Sequence, residues 1–269
     1  METLHARRIV SARRRASSRP IVAETDGGVR LVKLRGAGQG TSALIAEIIV
    51  AELAEALGLF VSPRSLVTLP ESIETADWDD ELADLLTASV GINLGFDFLD
   101  GAVDFASADA SRVPATACAE IFWLDRFVMN PDRTAENPNL LWWSDHLWLI
   151  DHGASLGFQY SWETVSESGP SEPRLSRDAH LFESLIDADL VATTDERLAA
   201  VLARDVLTAA VAQVPESFLT TGANATAIAR RRAAYVAYLW KRLRSPRTFL
   251  EIRDPLPVRV GPRQGKRAR

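Results

Sequence analysis

The sequence predicts an α+β fold of two unequal lobes, a small β-rich one with a single helix and then a larger, mostly helical one. Three observations carry this. Residues 20–33, "PIVAETDGGVRLVK", set two β-prone runs on either side of Asp26-Gly27-Gly28, turn chemistry that supplies positive φ at little cost. "ALIAEIIVAELAEAL" follows as a long apolar helical run. From about residue 180 to 250 the pattern is mainly helical.

The remaining elements follow in order. "LRGAGQGTS" is a loop with Gly36, Gly38 and Gly40, after which Thr41 or Ser42 is placed to cap the helix. Gly58 suits its end. "FVSPRSLVTL" reads as strand, with Pro63 confining part of it to an edge or bend. Residues 71–90 are acidic and helix-prone, and "VGINLGFDFLDG" reads as a connector or hinge. "ATACAEIFWLDRFVM" is a buried helix, with Ile121, Leu124 and Val128 at helical spacing, and Asn130-Pro131 ends it. "NLLWW" and "LWLI" are short strands joined by Ser144-Asp145-His146, their tryptophans serving as core. The expected division is a basic tail over 1–16, a nucleotide-binding lobe over 17–95, a catalytic lobe over 96–255 and a second basic tail over 256–269.

Bulk properties exclude several function classes. The chain has 269 residues, 47% of them hydrophobic, enough for a sizeable core. Its formal net charge of −6 is uneven: residues 1–19 hold six arginines against Glu2, and 256–269 hold five cations and no acid. The body between is acidic, which argues against nucleic acid as the main partner. The tails read as solvated ends. One cysteine, Cys118, forbids an internal disulfide and fits a reducing, cytoplasmic setting. No apolar run approaches the ~18 residues of a membrane span, and the Arg-rich start lacks the apolar stretch of a secretory signal.

Phosphoryl transfer asks little of a protein: a cation for phosphates, oxygens for a metal, and a carboxylate to orient the attacking hydroxyl. Lys33 ends the second strand of the hairpin. Glu47 lies among Leu44, Ile45, Ile48 and Ile49, where a carboxylate is costly unless paired. A Lys33–Glu47 pair would aim the ammonium at phosphate, with Glu52 as the rival partner. Asp151 is released at the end of "LWLI" before His152-Gly153, which suits a magnesium ligand as well as a turn-capping role. Asp132 follows a helix-ending Asn-Pro and can position a hydroxyl. Asn137 and Asn139 can each offer a neutral oxygen to metal. Asp125, with Arg126 or Arg133, braces this loop. The four histidines lack partners at metal spacing, so zinc is excluded. No nucleophile elbow, Walker loop or dinucleotide-binding glycine motif is present.

Taken together, "SSRPIVAE", "VKLRGAGQGTSALIAEIIVAELAEALGL" and "NPDRTAENPNLLWW…LWLIDHGASLGF" resemble the HipA-like branch of the protein-kinase-like superfamily, over roughly residues 17–160. The resemblance implies a two-lobed protein-kinase-like fold. It implies Lys33 as the phosphate-binding lysine, Glu47 as its helix partner, Asp132 as the catalytic-loop aspartate and Asp151 as the metal aspartate. Asn137 or Asn139 would be the second metal ligand. Asn93 and Gly95 in the connector join the cofactor-binding candidates. No glycine-rich loop precedes Lys33, so Ser17 and Ser18, or the Asp26-Gly27-Gly28 turn, would face the phosphates. The implied activity is ATP- and Mg2+-dependent phosphorylation of a hydroxyl, on a Ser or Thr of a protein. The alternatives are a catalytically silent nucleotide-binding module, or a kinase of a small-molecule or lipid hydroxyl.

Overall fold

The structure is a computed structural model describing residues 1–12, 19–75, 79–172, 179–219, 224–244 and 246–250. Ser17, Ser18 and the 256–269 tail lie outside the described residues. In chain order the first elements are β1 (Thr3–Ala12), β2 (Ile21–Thr25), β3 (Gly28–Lys33), α1 (Thr41–Ala56), β4 (Phe60–Val61), β5 (Arg64–Leu69) and β6 (Glu74–Thr75). Next come α2 (Asp80–Ala88), β7 (Gly91–Asp97), β8 (Val103–Asp104), α3 (Ala115–Phe127), β9 (Leu140–Trp143) and β10 (His146–Leu149). The chain then runs through α4 (Ala188–Val201), α5 (Arg204–Ala212), α6 (Glu216–Leu219) and α7 (Ala225–Arg242). The architecture is mixed α and β.

Six strands form the larger sheet, in the order β2-β3-β7-β5-β1-β6, and β1 also pairs β2. That extra pairing closes five strands into a ring. β1 serves both partners by dividing its length: Thr3, Leu4 and His5 run parallel to β5, and Ala6 to Ala12 run antiparallel to β2 across two irregularities. Bulges of this kind bend a strand and let it turn a corner. The interior of the ring is apolar, with Leu4, Ile9, Ile21, Val32 and Val67 buried against Leu82 and Leu86 of α2. Asp79 caps α2 by accepting from Leu82 N–H at 2.7 Å.

Two stretches differ from what the sequence pattern predicts. Residues 3–12 are a strand, not a solvated tail: Leu4, Ala6 and Ile9 point inward between outward arginines. The arginines hid this alternation. The connector "VGINLGFDFLDG" is largely β7, a strand bonded on both sides, to β3 and β5. A turn follows it, where Asp100 N–H donates to Phe98 O and Ala102 N–H to Leu99 O.

Pro63 separates two strands that belong to different sheets. β5 enters the ring, while β4 pairs β10 in a second sheet of order β4-β10-β9-β8. Ser144 and Asp145, both at positive φ, make the tight turn between β9 and β10. Positive φ at both central residues is what a two-residue hairpin requires. Gly40 is the N-cap of α1 and no side chain caps it, so neither Thr41 nor Ser42 takes that role. Its C-terminus closes as expected: Gly58 has φ 80°, Gly58 N–H bonds Glu55 O, and Leu59 N–H bonds Ala54 O. This 6→1 and 5→2 pattern satisfies the last carbonyls. From Leu44 to Ala54 α1 is buried nearly all round, because it packs on the outer face of the ring, on α5 and on α6.

Candidate active site

Period-2 alternation decides which side chains of the ring reach the site. Val32 of β3 points into the ring, so Leu31 and Lys33 point outward, toward α1. On β7, Ile92, Leu94 and Phe96 pack outward. Asn93 and Gly95 therefore point inward. Asn93 is fully buried and gives both amide hydrogens to Ser89 O and Gly91 O, while its oxygen accepts Arg35 N–H at 2.8 Å. A Cβ on Gly95 would lie 2.6 Å from Val67 Cγ2. Both residues shape the ring and neither borders the cavity described below. Phe96 is the neighbour that does.

The expected ion pair between Lys33 and Glu47 is present, and Lys33 Nζ also bonds Asp151 Oδ1 at 2.7 Å. Glu52 instead bonds Arg64, at 2.8 Å. Glu47 is only 1% exposed. Burial pushes its carboxyl up, and the Lys33 charge only partly offsets this. Burial works against the Lys33 ammonium too, but Glu47 and Asp151 together raise it above its ordinary value. Asp151 is driven down: burial opposes ionisation, and Lys33 outweighs it. Lys33 thus keeps its charge between two carboxylates of unequal acidity.

Asp151 sits at φ 58°, an uncommon conformation that short polar side chains tolerate best. The next residues explain why the chain turns here. His152 N–H donates to Glu47, and a Cβ on Gly153 would meet Glu47 Oε1 at 3.3 Å and Ala43 Cβ at 3.4 Å. A glycine lets this turn lie against α1.

Asp132 is held in a loop built on the end of α3. Met129 at φ 57° ends that helix, with Asn130 N–H bonded to Asp125 O. Asn130 Oδ1 then accepts Asp132 N–H at 3.0 Å. Arg133 Nε meets buried Asp125 at 2.5 Å, and Arg133 Nη1 reaches Asn139 O at 2.5 Å. The bracing role expected of Asp125 is therefore met by Arg133, while Arg126 pairs with Glu183 at 3.1 Å. Asn139 Nδ2 lies 3.3 Å from Asp132 Oδ2, and Asn139 O accepts Ile150 N–H at 3.1 Å. Asn139 thus joins the Asp132 loop to the strand end that carries Asp151. Asn137 is exposed and its amide reaches only Asp132 O, at 3.3 Å.

A cavity of about 320 Å³ opens beside these groups. Lys33, Glu47 and Asp151 line it together with apolar Leu31, Ala51, Val61, Phe96 and Leu149. Asp97, Asp100 and Asp104 border it as well. These last residues, like Phe96, were not anticipated. The alternation of "INLGF" carried the signal for Phe96. The size and mixed lining suit a small organic ligand with a charged end. The Asp26-Gly27 turn does not serve this site: Gly28 is five residues from Lys33 along β3, roughly 16 Å at strand spacing. Pro20, just before β2, does line the cavity.

Among the described residues no three His, Cys, Asp or Glu side chains gather as a metal cage. The donors that are present suit magnesium nonetheless. Asp151 is 47% exposed with one oxygen on Lys33, and Asn139 commits its Nδ2 to Asp132. Magnesium characteristically takes one or two carboxylates and completes its shell with phosphate oxygens and water.

Among the described residues no helix is long and apolar enough to cross a membrane. No curated protein matches the chain. Among solved structures it is similar to the Helicobacter pylori proinflammatory kinase CtkA, with 12% identity and a TM-score of 0.48 over 87% of this chain and 95% of that one. It is also similar to the Golgi casein kinase, with 11% identity and a TM-score of 0.43 over 91% and 76%. The family model of the HipA-like kinases matches residues 7–249. With nearly the whole chain matched, this protein belongs to the HipA-like kinase family, and its chemistry is that of a kinase-like phosphotransferase.

Proposed function

We propose that the protein transfers the terminal phosphoryl group of ATP, with Mg2+, to a hydroxyl acceptor. The observation that carries the reading is Lys33 bonded to both Glu47 and Asp151 on the wall of a mixed-lined cavity. A cation fixed by one buried carboxylate and one half-exposed carboxylate is placed to meet phosphate oxygens and a metal together. In this reading the ring with α1 and the helical part act as two lobes, and the nucleotide lies between them. Leu31, Val61, Phe96 and Leu149 enclose the base. Asp151 and Asn139 hold the metal, which supplies charge neutralisation at the phosphates. Asp132 accepts the acceptor's proton and orients its oxygen. The family resemblance favours a Ser or Thr of a protein as that acceptor.

Support for Asn139 over Asn137 comes from its bonds to both Asp132 and Ile150. The test is Asp132→Ala. Phosphate transfer should disappear while nucleotide binding, followed by titration calorimetry, stays within about threefold of wild type. Unchanged turnover in this variant would remove Asp132 from the mechanism. Binding without turnover in the wild type would favour the silent module instead.

A further inference from the structure

Asp125 is a fully buried carboxylate that faces three donors from two parts of the chain. Asn130 Nδ2 reaches Oδ1 at 2.8 Å, Arg133 Nε reaches Oδ2 at 2.5 Å, and His180 Nε2 reaches Oδ2 at 2.9 Å. The first two residues flank Asp132. The third lies 48 positions beyond it, in a segment that bonds the loop through its main chain.

That segment is docked by several further bonds. Leu181 N–H donates to Arg133 O at 3.0 Å, so the main chain of Arg133 is held from this side, while its side chain is held by Asp125. His180 Nδ1 accepts Phe182 N–H at 3.2 Å. Since Nδ1 accepts, Nε2 carries the hydrogen that points at Asp125. Burial lowers the His180 pKa, which keeps the ring in this neutral form. Asp125 stays ionised: burial alone would raise its pKa, but Arg133 and His180 push it well below the usual carboxylate range. His180 N–H and Arg126 Nη2 both reach Glu183 Oε2, at 3.3 and 3.1 Å. The ring of His180 packs edge-on against Phe122.

We propose that His180 is a positioning residue for Asp132: by donating to Asp125 it fixes Asn130 and Arg133, and so makes phosphoryl transfer depend on the seating of residues 180–185. The proposal rests on the phosphotransfer reading of Asp132. It assigns a function to a histidine that does not line the cavity.

Two near-isosteric variants separate this role from plain docking. His180→Gln keeps a donor at the Nε2 position and loses the acceptor for Phe182. His180→Asn keeps the acceptor and loses the donor to Asp125. The measurement is steady-state ATP turnover by the full chain, below the melting temperature of both variants. His180→Gln should remain within about threefold of wild type, while His180→Asn should lose at least about tenfold in kcat with an unchanged KM for ATP. Equal activity of the two variants, or a loss in His180→Asn confined to KM, overturns the proposal. Amide hydrogen exchange over residues 132–139 probes the same coupling without relying on turnover. Faster exchange in His180→Asn than in His180→Gln supports the coupling, and equal exchange overturns it. A wild type that turns over no ATP would instead overturn the reading of Asp132, and the exchange comparison would still decide whether His180 steadies the loop.

Discussion

Lys33 Nζ lies 2.7 Å from Asp151 Oδ1, a carboxylate 118 positions away in the chain, while it also holds buried Glu47. Two segments that begin as a surface hairpin and an apolar β-hairpin thus meet at one ammonium group. The energetic weight of the pair lies on Glu47, since Asp151 is half exposed and can be solvated.

Removing the cation should therefore cost stability as well as activity. Lys33→Met leaves Glu47 buried without its main partner, and breaking a buried ion pair from one side costs about 3–5 kcal/mol. Urea unfolding should show a loss of that order. The double variant Lys33→Met, Glu47→Leu should recover most of it, because no lone charge then remains inside. A single variant as stable as wild type would mean that Glu47 is already neutral.

The two asparagines should separate on magnesium dependence. Asn139 occupies φ 51°, so a glycine there removes the side chain without adding backbone strain. Asn139→Gly should raise the magnesium concentration for half-maximal transfer by at least about tenfold, and Asn137→Ala by less than about threefold. The reverse ranking would reassign the ligand to Asn137.

Acid stability should report on His152. Its ring is 2% exposed, and neither nitrogen has a hydrogen-bond partner among the described residues. Burial, and then the Arg133 charge, push its pKa down to about 3. The unfolded chain takes up this proton near pH 6.5 and the folded one does not. Stability from neutral His152 is thus fully present above pH 6.5 and is lost as pH falls toward 3, by up to about 1.4 kcal/mol per pH unit. His152→Phe removes that proton and two unsatisfied atoms. Its unfolding free energy between pH 6 and pH 5 should fall less steeply than that of wild type, by about 1 kcal/mol. Parallel curves would show that His152 is protonated in both states or in neither.

Much of the site was readable because its chemistry is concentrated in single residues. Glu47 stood out as a carboxylate among isoleucines, and Asp125 as an acid with arginines at bracing distance. Asn93 and Gly95 face the ring interior rather than the cavity: on a strand, adjacent residues face opposite sides, and it is the neighbouring Phe96 and then Asp97 that line the cavity. Residues 3–12 were misread since arginine alternation masks a half-buried strand as effectively as it marks a tail. Pro63 was correctly read as a bend, but that it divides two sheets depends on pairing with β10, a contact of long sequence separation that local pattern does not encode. His180 had no local signal at all. Its partner is 55 positions away, and a lone histidine in a loop carries no periodicity.

In the proposed mechanism Asp151 holds the metal-nucleotide of a working phosphotransferase. This role is tested most directly by incubating wild type and Asp151→Asn with magnesium and ATP labelled on its terminal phosphate. The wild type should place label on itself or on a target in a lysate, abolished by chelation, and Asp151→Asn should lose at least about a hundredfold. Equal labelling by the two proteins would contradict it.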